Sequence, residues 1–259
     1  MNAAARRVAW ITGGGSGIGR ALALRLARAG WMVAISARRT ELLQQTAGLA
    51  KGSIHAFPLD VTDTAAVRVT AERIESQLGP LQLAVLNAGI GEFVKLDNFH
   101  ATTFAAHMQV NYLGVVNGIE ALLPALRRRH SGHIVIVASV AGYRGVPHAA
   151  AYGPTKAALI NLAESLRFDL EREGIRISIC NPGFVDTPMT AGNRFPMPFL
   201  MNAEDAAEAL YRGIMQQKFE IAFPRRFVWL LKLFRCLPYA LYFPIMGKFT
   251  GINRRHRHG

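Results

Sequence analysis

Short apolar runs alternate along this chain with longer stretches in which apolar residues recur every three or four positions. The runs at residues 8–13, 31–37, 53–59, 83–86, 133–138, 175–180 and 219–223 are short, bounded by Gly, Asn, Asp or Ser, and nearly continuous in Val, Ile, Leu and Ala. That pattern predicts strands buried on both faces, as in a parallel sheet. Helical spacing predicts helices over 20–30, 64–78, 102–129, 152–172 and from Asn202 or Ala203 to 216. Thr62 or Asp63 can cap the second of these, and Pro154 falls in the first turn of the fourth, where its missing N–H has no partner to lose. Strand and helix take turns with no long linker, which predicts one α/β domain: a doubly wound parallel sheet of about seven strands flanked by helices.

The first predicted strand runs straight into Gly13, Gly14, Gly15, Ser16, Gly17, Ile18 and Gly19, after which a helix begins. Glycines in such a turn let backbone N–H groups approach a pyrophosphate, and the positive end of the helix favours the same anion. The second strand ends at Ala37 and Arg38, with Arg39 beside it and no acid in reach. An acidic side chain there would accept from a ribose 2′-hydroxyl, whereas an Arg suits a 2′-phosphate, so the pattern favours NADP(H) over NAD(H). Further strands end at Asp60 and Val61, and at Asn87, Ala88 and Gly89. All these ends fall on one edge of a parallel sheet, where open α/β sheets bind ligands.

The fifth strand delivers Ser139, and a loop rich in Gly and Ala leads to Tyr152 and Lys156. Positions i and i+4 share a helix face, so the phenol and the ammonium can enter one pocket. A phenol titrates near 10 and a neighbouring cation lowers that value, which suits Tyr152 to giving a proton to a carbonyl oxygen or taking one from an alcohol. Asn111 sits mid-helix, where Asn is a poor residue; it faces a polar pocket or a water chain, or lies on the surface. His107 and His148 stand without partners at metal spacing, so no metal site is expected.

Composition narrows the classes. With 259 residues, 51% of them hydrophobic, the chain can bury one large core. Cys180 and Cys236 are too few for a disulfide framework, which fits a reducing, cytoplasmic setting. No secretory segment and no apolar stretch long enough to span a bilayer is visible. The net charge is +13, but from Ile221 onward there is no Asp or Glu, and eight Lys and Arg residues stand there.

Taken together and in order, these motifs resemble the short-chain dehydrogenase/reductase family over about residues 6–224. Thr12 through Gly19 is similar to its cofactor turn, Asp60 and Val61 to its adenine-contacting pair, Asn87 to Gly89 to its sheet-edge motif, and Pro182, Gly183, Val185 and Thr187 to its nicotinamide loop. Asn111, Ser139, Tyr152 and Lys156 match its catalytic tetrad. The resemblance implies a Rossmann-like fold and hydride exchange between a nicotinamide and a carbonyl or alcohol carbon. It also implies that Tyr152 handles the proton, Lys156 lowers the phenol pKa and binds the nicotinamide ribose, Ser139 orients the substrate oxygen, and Asn111 holds a relay water. Ser16 stands where many NADP-preferring members carry a basic residue, so the phosphate preference rests on Arg38 with Arg39. Members are often dimers or tetramers, so a homo-oligomer is an expectation.

On this division residues 1–224 form the catalytic domain, with an apolar substrate lid at about 188–202, and residues 225–259 form a basic, apolar extension. Its aromatics and cations suit an anionic membrane surface, which would make the protein peripheral and its substrate lipophilic. A substrate lid or a subunit contact would bury the same residues in protein. Pro238 and Pro244 are expected to break the segment. A 3-oxoacyl chain on an acidic carrier protein is a second substrate class that a basic surface would attract. A nucleotide-binding redox sensor without turnover is the non-enzymatic rival, and the complete Asn, Ser, Tyr, Lys set argues against it. No helix-turn-helix or zinc-finger signature supports nucleic acid as a partner.

Overall fold

The computed structural model describes residues 7–92, 94–193 and 196–250. Seven strands form one parallel sheet in the order β3-β2-β1-β4-β5-β6-β7. They are β1 (Val8–Thr12), β2 (Met32–Ser36), β3 (Ile54–Ala56), β4 (Leu81–Leu86), β5 (Gly132–Val137), β6 (Ile175–Pro182) and β7 (Glu220–Phe223). The order reverses between β1 and β4, which opens a crevice at the carboxyl ends of these two neighbours. The expected doubly wound sheet is what the chain forms.

Both faces of the sheet are covered, so its central strands β1, β4 and β5 are almost wholly buried, and two cores result. On one face Trp10, Leu86, Ile134 and Ile136 meet α3 (Thr64–Leu78), α5 (Gly114–Arg129) and α6 (Tyr152–Arg172). On the other, Ile11, Ile35, Val85 and Val135 meet α1 (Gly17–Arg28), α2 (Thr40–Gly48) and α7 (Ala203–Met215). Arg25 of α1 joins Glu208 of α7 at 2.5 Å and lies over the Tyr211 ring, which ties the outer helices of that face together.

Helix boundaries follow local chemistry. Asp63 caps α3, its carboxylate accepting from Ala66 N at 2.9 Å, and Asn202 caps α7 by accepting from Asp205 N. The continuous helix expected over 102–129 is instead interrupted: α4 (Ala101–His107) passes into a π-helical turn over Met108–Leu113 before α5 begins. The tail is also more ordered than its prolines imply. Pro238 separates α8 (Arg225–Arg235) from α9 (Tyr239–Thr250), but Pro244 lies on the exposed face inside α9, where Tyr242 and Met246 anchor the helix on either side of it. Residues 251–259, with Arg254, Arg255 and Arg257, lie outside the described residues.

Candidate active site

The turn after β1 is built for close approach. Gly13 and Gly17 have φ of +70° and +53°, conformations that a side chain would strain, and a Cβ on Gly19 would stand 2.3 Å from Gly13 O. Thr12, buried at the end of β1, pins the neighbouring strand: its Oγ1 accepts from Asn87 N at 2.9 Å and Ala88 N at 3.0 Å, while Asn87 Nδ2 donates to Thr12 O. Ser16 opens α1 without capping it through its side chain, and no acid occupies the first turn. The N–H groups of that turn therefore remain suited to an anion. Ile18 packs on the core behind the turn, and Gly17 faces Thr187 closely enough that an added Cβ would meet its methyl at 3.0 Å. The glycine turn and the loop after β6 thus form two sides of one cleft.

Beside the cleft, Asp60 accepts from Thr62 N and Thr62 Oγ1. The backbone hydrogen bond from Thr62 is the main reason its carboxyl sits below the usual range, and the positive charge of Arg38 acts in the same direction. Arg38 and Arg39 are exposed at the end of β2. Val61 is buried against α5, where Asn117 Nδ2 donates to its carbonyl at 2.9 Å. On the other side, Thr190 Oγ1 donates to Val185 O at 2.7 Å, and Asp186 N donates to Met201 O, closing the base of the segment expected to be a lid. Met189 of that segment lies beside Gly91, which also borders the Tyr152 ring. Arg194 and Phe195, also within it, lie outside the described residues.

The four tetrad residues meet at the ends of β4 and β5. Asn111 is fully buried, and the π-helical turn aims its amide at the strand β4 extension: Oδ1 accepts from Ile90 N at 2.8 Å and Nδ2 donates to Ile90 O at 2.9 Å. Of the alternatives open for Asn111, the surface is excluded. Its Nδ2 also donates to Thr155 Oγ1, which in turn donates to Tyr152 O, so Asn111 and the first turn of α6 are connected through hydrogen bonds. Gly89 lies against both Asn111 and Lys156; an added Cβ would stand 3.2 Å from Asn111 Oδ1 and 3.6 Å from Lys156 Nζ.

Lys156 is buried and donates to Val137 O at 3.0 Å, with Nζ 5.5 Å from the centre of the Tyr152 ring. Burial lowers its ammonium to about 8, while Cys180 opposes the shift. Burial raises the Tyr152 phenol to about 12, and the Ser139 hydroxyl beside it pulls the other way. The lowering expected from Lys156 is absent, because the ammonium is directed at Val137 O rather than at the phenol oxygen. Ser139 Oγ accepts from Ala141 N and reaches Pro182 O at 3.5 Å, at the edge of hydrogen-bond range.

Sequence reasoning passed over Thr155 and a cluster around Glu220. Thr155 has no signature beyond being a hydroxyl one turn from Tyr152. Glu220 could have been noticed as the last acid before an acid-free tail.

The model of the family described as short chain dehydrogenase matches residues 7–196. The chain belongs to that family. It is an NAD(P)-dependent oxidoreductase of the short-chain dehydrogenase/reductase type. An uncharacterised oxidoreductase of Myxococcus xanthus (strain DK1622) is 37% identical over 242 residues, covering 91% of this chain and 94% of the relative. A short-chain dehydrogenase/reductase of Burkholderia phymatum in complex with NAD superposes with a TM-score of 0.81 at 26% identity, covering 88% and 92% of the two chains. ElxO with NADP bound superposes with a TM-score of 0.75, also at 26% identity, covering 84% of this chain and 97% of its own. One of these structures holds NAD and the other NADP, so the comparisons favour neither cofactor.

Proposed function

We propose that this chain interconverts a lipophilic carbonyl compound and its alcohol with NADP(H), using Tyr152 as the proton donor and acceptor. The observation that carries this reading is the meeting of Ser139, Tyr152, Lys156 and Asn111 beside a glycine turn whose backbone leaves room for a pyrophosphate. Gly13, Ser16, Gly17, Ile18 and Gly19 would cradle the phosphates, Asp60 and Val61 the adenine, and Asn87, Ala88 and Gly89 the sheet edge of the cofactor. Pro182, Gly183, Val185 and Thr187 would close over the nicotinamide, with Lys156 on its ribose. When bound, the cofactor supplies or accepts the hydride at the substrate carbon.

In the reducing direction Ser139 holds the carbonyl oxygen and Tyr152 passes its phenolic proton to that oxygen. A phenol near 12 is fully protonated at neutral pH, which is the form this step consumes. Turning Lys156 from Val137 O toward the phenol and the ribose would bring the phenol down into working range. Asn111 holds the backbone at Ile90 and connects through Thr155 to the Tyr152 carbonyl, which fixes the first turn of α6 that carries the phenol. Arg38, exposed and close enough to Asp60 to depress its carboxyl, is the group we assign to the 2′-phosphate.

Titration of NADPH and NADH into the wild type and Arg38→Ala, followed by turnover of a carbonyl panel with the wild type and Tyr152→Phe, tests both halves. NADPH is expected to bind more tightly, Arg38→Ala to remove the difference, and Tyr152→Phe to lose about 10²- to 10⁴-fold in kcat. Equal binding of the two cofactors overturns the Arg38 assignment, and unchanged turnover in Tyr152→Phe overturns the acid.

The exposed face of α8 and α9 supports an anionic membrane surface as partner and a lipophilic substrate with it: Trp229, Leu233, Tyr239, Leu241 and Phe243 are all more than half exposed. No helix of the described residues is long and apolar enough to cross a membrane, so the contact would be peripheral. The net charge leaves a 3-oxoacyl group on an acidic carrier protein as the second substrate class. Self-association is part of the proposal, through the apolar groove where Val116, Ile119 and Leu123 of α5 face Leu162 and Leu166 of α6, and light scattering of the purified protein checks it.

A further inference from the structure

Between Ser139 and Tyr152 runs a loop that must hold both at a fixed separation, and three consecutive residues in its middle are tied to the far end of the chain. Tyr143 Oη donates to Glu220 Oε1 at 2.6 Å, and Asn181 Nδ2 donates to the same oxygen at 3.1 Å. Lys232 of α8 forms an ion pair with the other oxygen, Oε2. Arg144 Nη1 lies within hydrogen-bond distance of three carbonyls at the end of α8, those of Phe234 at 2.7 Å, Arg235 at 3.1 Å and Leu237 at 2.6 Å. The Arg144 guanidinium also lies 3.8 Å from the centre of the Tyr242 ring, while Tyr242 Oη donates to Gly145 O at 2.6 Å.

These contacts are half-buried and charged at both anchor points. Burial works to raise the Glu220 carboxyl, but the hydrogen bonds from Lys232 and Tyr143, together with the Lys232 charge, outweigh it and keep it ionised. Carbonyls at a helix C-terminus have no partner within the helix, so a guanidinium placed on them satisfies orphaned acceptors and meets the negative end of the dipole. Between these anchors Val140 and Val146 of the loop face Leu231, Phe234 and Met246 across a small apolar pocket. Phe227 of α8 presses on Gly183, where an added Cβ would be 3.0 Å from its ring. One helical pair therefore touches the Ser139 loop and the loop expected over the nicotinamide.

We infer that α8 and α9 are a brace for the catalytic loop, and that Glu220 and Arg144 are positioning residues for the reaction. The inference rests on the reading of Ser139 and Tyr152 as the groups that meet the substrate oxygen. Neither Glu220 nor Arg144 contacts the reacting atoms; they act through the place they give Ser139. Tyr143 lies 77 residues from Glu220, and Arg144 lies 90 to 93 residues from its carbonyl partners along the chain, so no local propensity could substitute for these contacts.

The test uses the full chain and the variants Glu220→Ala, Glu220→Gln, Arg144→Ala and Arg144→Lys, with Lys51→Gln as an exposed control. Hydrogen exchange read by mass spectrometry needs no substrate. Peptides covering 140–151 are expected to exchange about tenfold faster or more in Glu220→Ala and Arg144→Ala, with those covering β1 and α1 unchanged. In turnover the same two variants are expected to lose at least about tenfold in kcat, with cofactor affinity within about threefold of wild type. Glu220→Gln, which still accepts from Tyr143, is expected to recover part of the loss. Unchanged exchange in 140–151 overturns the brace, and faster exchange with unchanged kcat overturns the positioning role. Wild-type turnover in Tyr152→Phe, with the exchange result as expected, would overturn the acid and leave the brace standing.

Discussion

Lys156 sets stability against chemistry at a single residue. Burial lowers its ammonium to about 8 from the ordinary 10.5, so between those values the unfolded chain holds a proton that the native protein has released. Native stability therefore rises with pH across that window, and the penalty for a buried cation is fully present below it. Lys156→Met removes a penalty of about 3 kcal/mol and gives up the hydrogen bond to Val137 O, worth about 2 kcal/mol because its donor is charged. The expected outcome is an inactive protein more stable by about 1 kcal/mol at pH 7, with the gap closing and reversing toward pH 10.5, measured by urea unfolding without cofactor. A variant that is less stable at pH 7, or whose difference does not depend on pH, contradicts this. His133 works on the acid side. Burial holds its imidazole near 4, with Arg176 acting the same way, while Ser178 Oγ lies 2.7 Å from Nε2. Its folded value lies below its unfolded value, so the stability tied to its neutral form is complete above pH 6.5 and is lost as pH falls toward 4. Wild type is expected to lose about 3 kcal/mol more than His133→Gln over that range, a difference that denaturant titrations at pH 7 and pH 4.5 would detect.

At the scale of elements, the turn between β1 and α1 shows which constraints a sequence displays. Gly13, Gly17 and Gly19 are each required by something specific, a positive φ or a backbone oxygen in the way, and glycines clustered between an apolar run and a helical pattern announce that need without a structure. Gly19→Ala puts a Cβ 2.3 Å from Gly13 O and is expected to weaken NADPH binding by about tenfold or more, about 1.4 kcal/mol, in a fluorescence titration; wild-type affinity would mean that the turn does not hold the phosphates. Helix α6 was equally legible, because Tyr152 and Lys156 at i and i+4 and Pro154 in the first turn are local facts. The π-helical turn at Met108–Leu113 was not. Asn111 adopts it to pair both amide groups with Ile90, a contact across 21 residues that no local periodicity reports. Helix α2 is only nine residues long and has a weak apolar face, with Leu43 and Thr46 its buried residues, so it left little trace. Asp63 shows the opposite case: a cap visible in sequence and found in place, whose replacement by Ala is expected to cost about 1 kcal/mol of stability in thermal or denaturant unfolding.

Across the whole molecule, charge and apolar surface are distributed unevenly, and the two inequalities coincide. The last acid of the chain, Glu220, is engaged by Tyr143, Asn181 and Lys232. Beyond it Arg225, Arg226, Arg235 and Lys248 are exposed around Trp229 and Phe243, which are 70% and 63% exposed. A second copy meeting this face across a two-fold axis would set these cations against themselves, since an isologous contact pairs a patch with its own image. An anionic bilayer has the complementary charge and accepts the aromatics at its interface. Four basic residues near such a surface contribute about 4 kcal/mol at about 1 kcal/mol each, screened within a Debye length. Co-sedimentation is therefore expected with vesicles of phosphatidylcholine and phosphatidylglycerol, to be much weaker with phosphatidylcholine alone, and to fall as salt rises. Trp229→Glu adds a charge to the apolar face at a residue that is 70% exposed and lies away from the rings that hold Arg144, and is expected to abolish sedimentation while leaving turnover of a water-soluble carbonyl intact. Equal binding to neutral and anionic vesicles, or binding that survives Trp229→Glu, removes the membrane as the partner of this face.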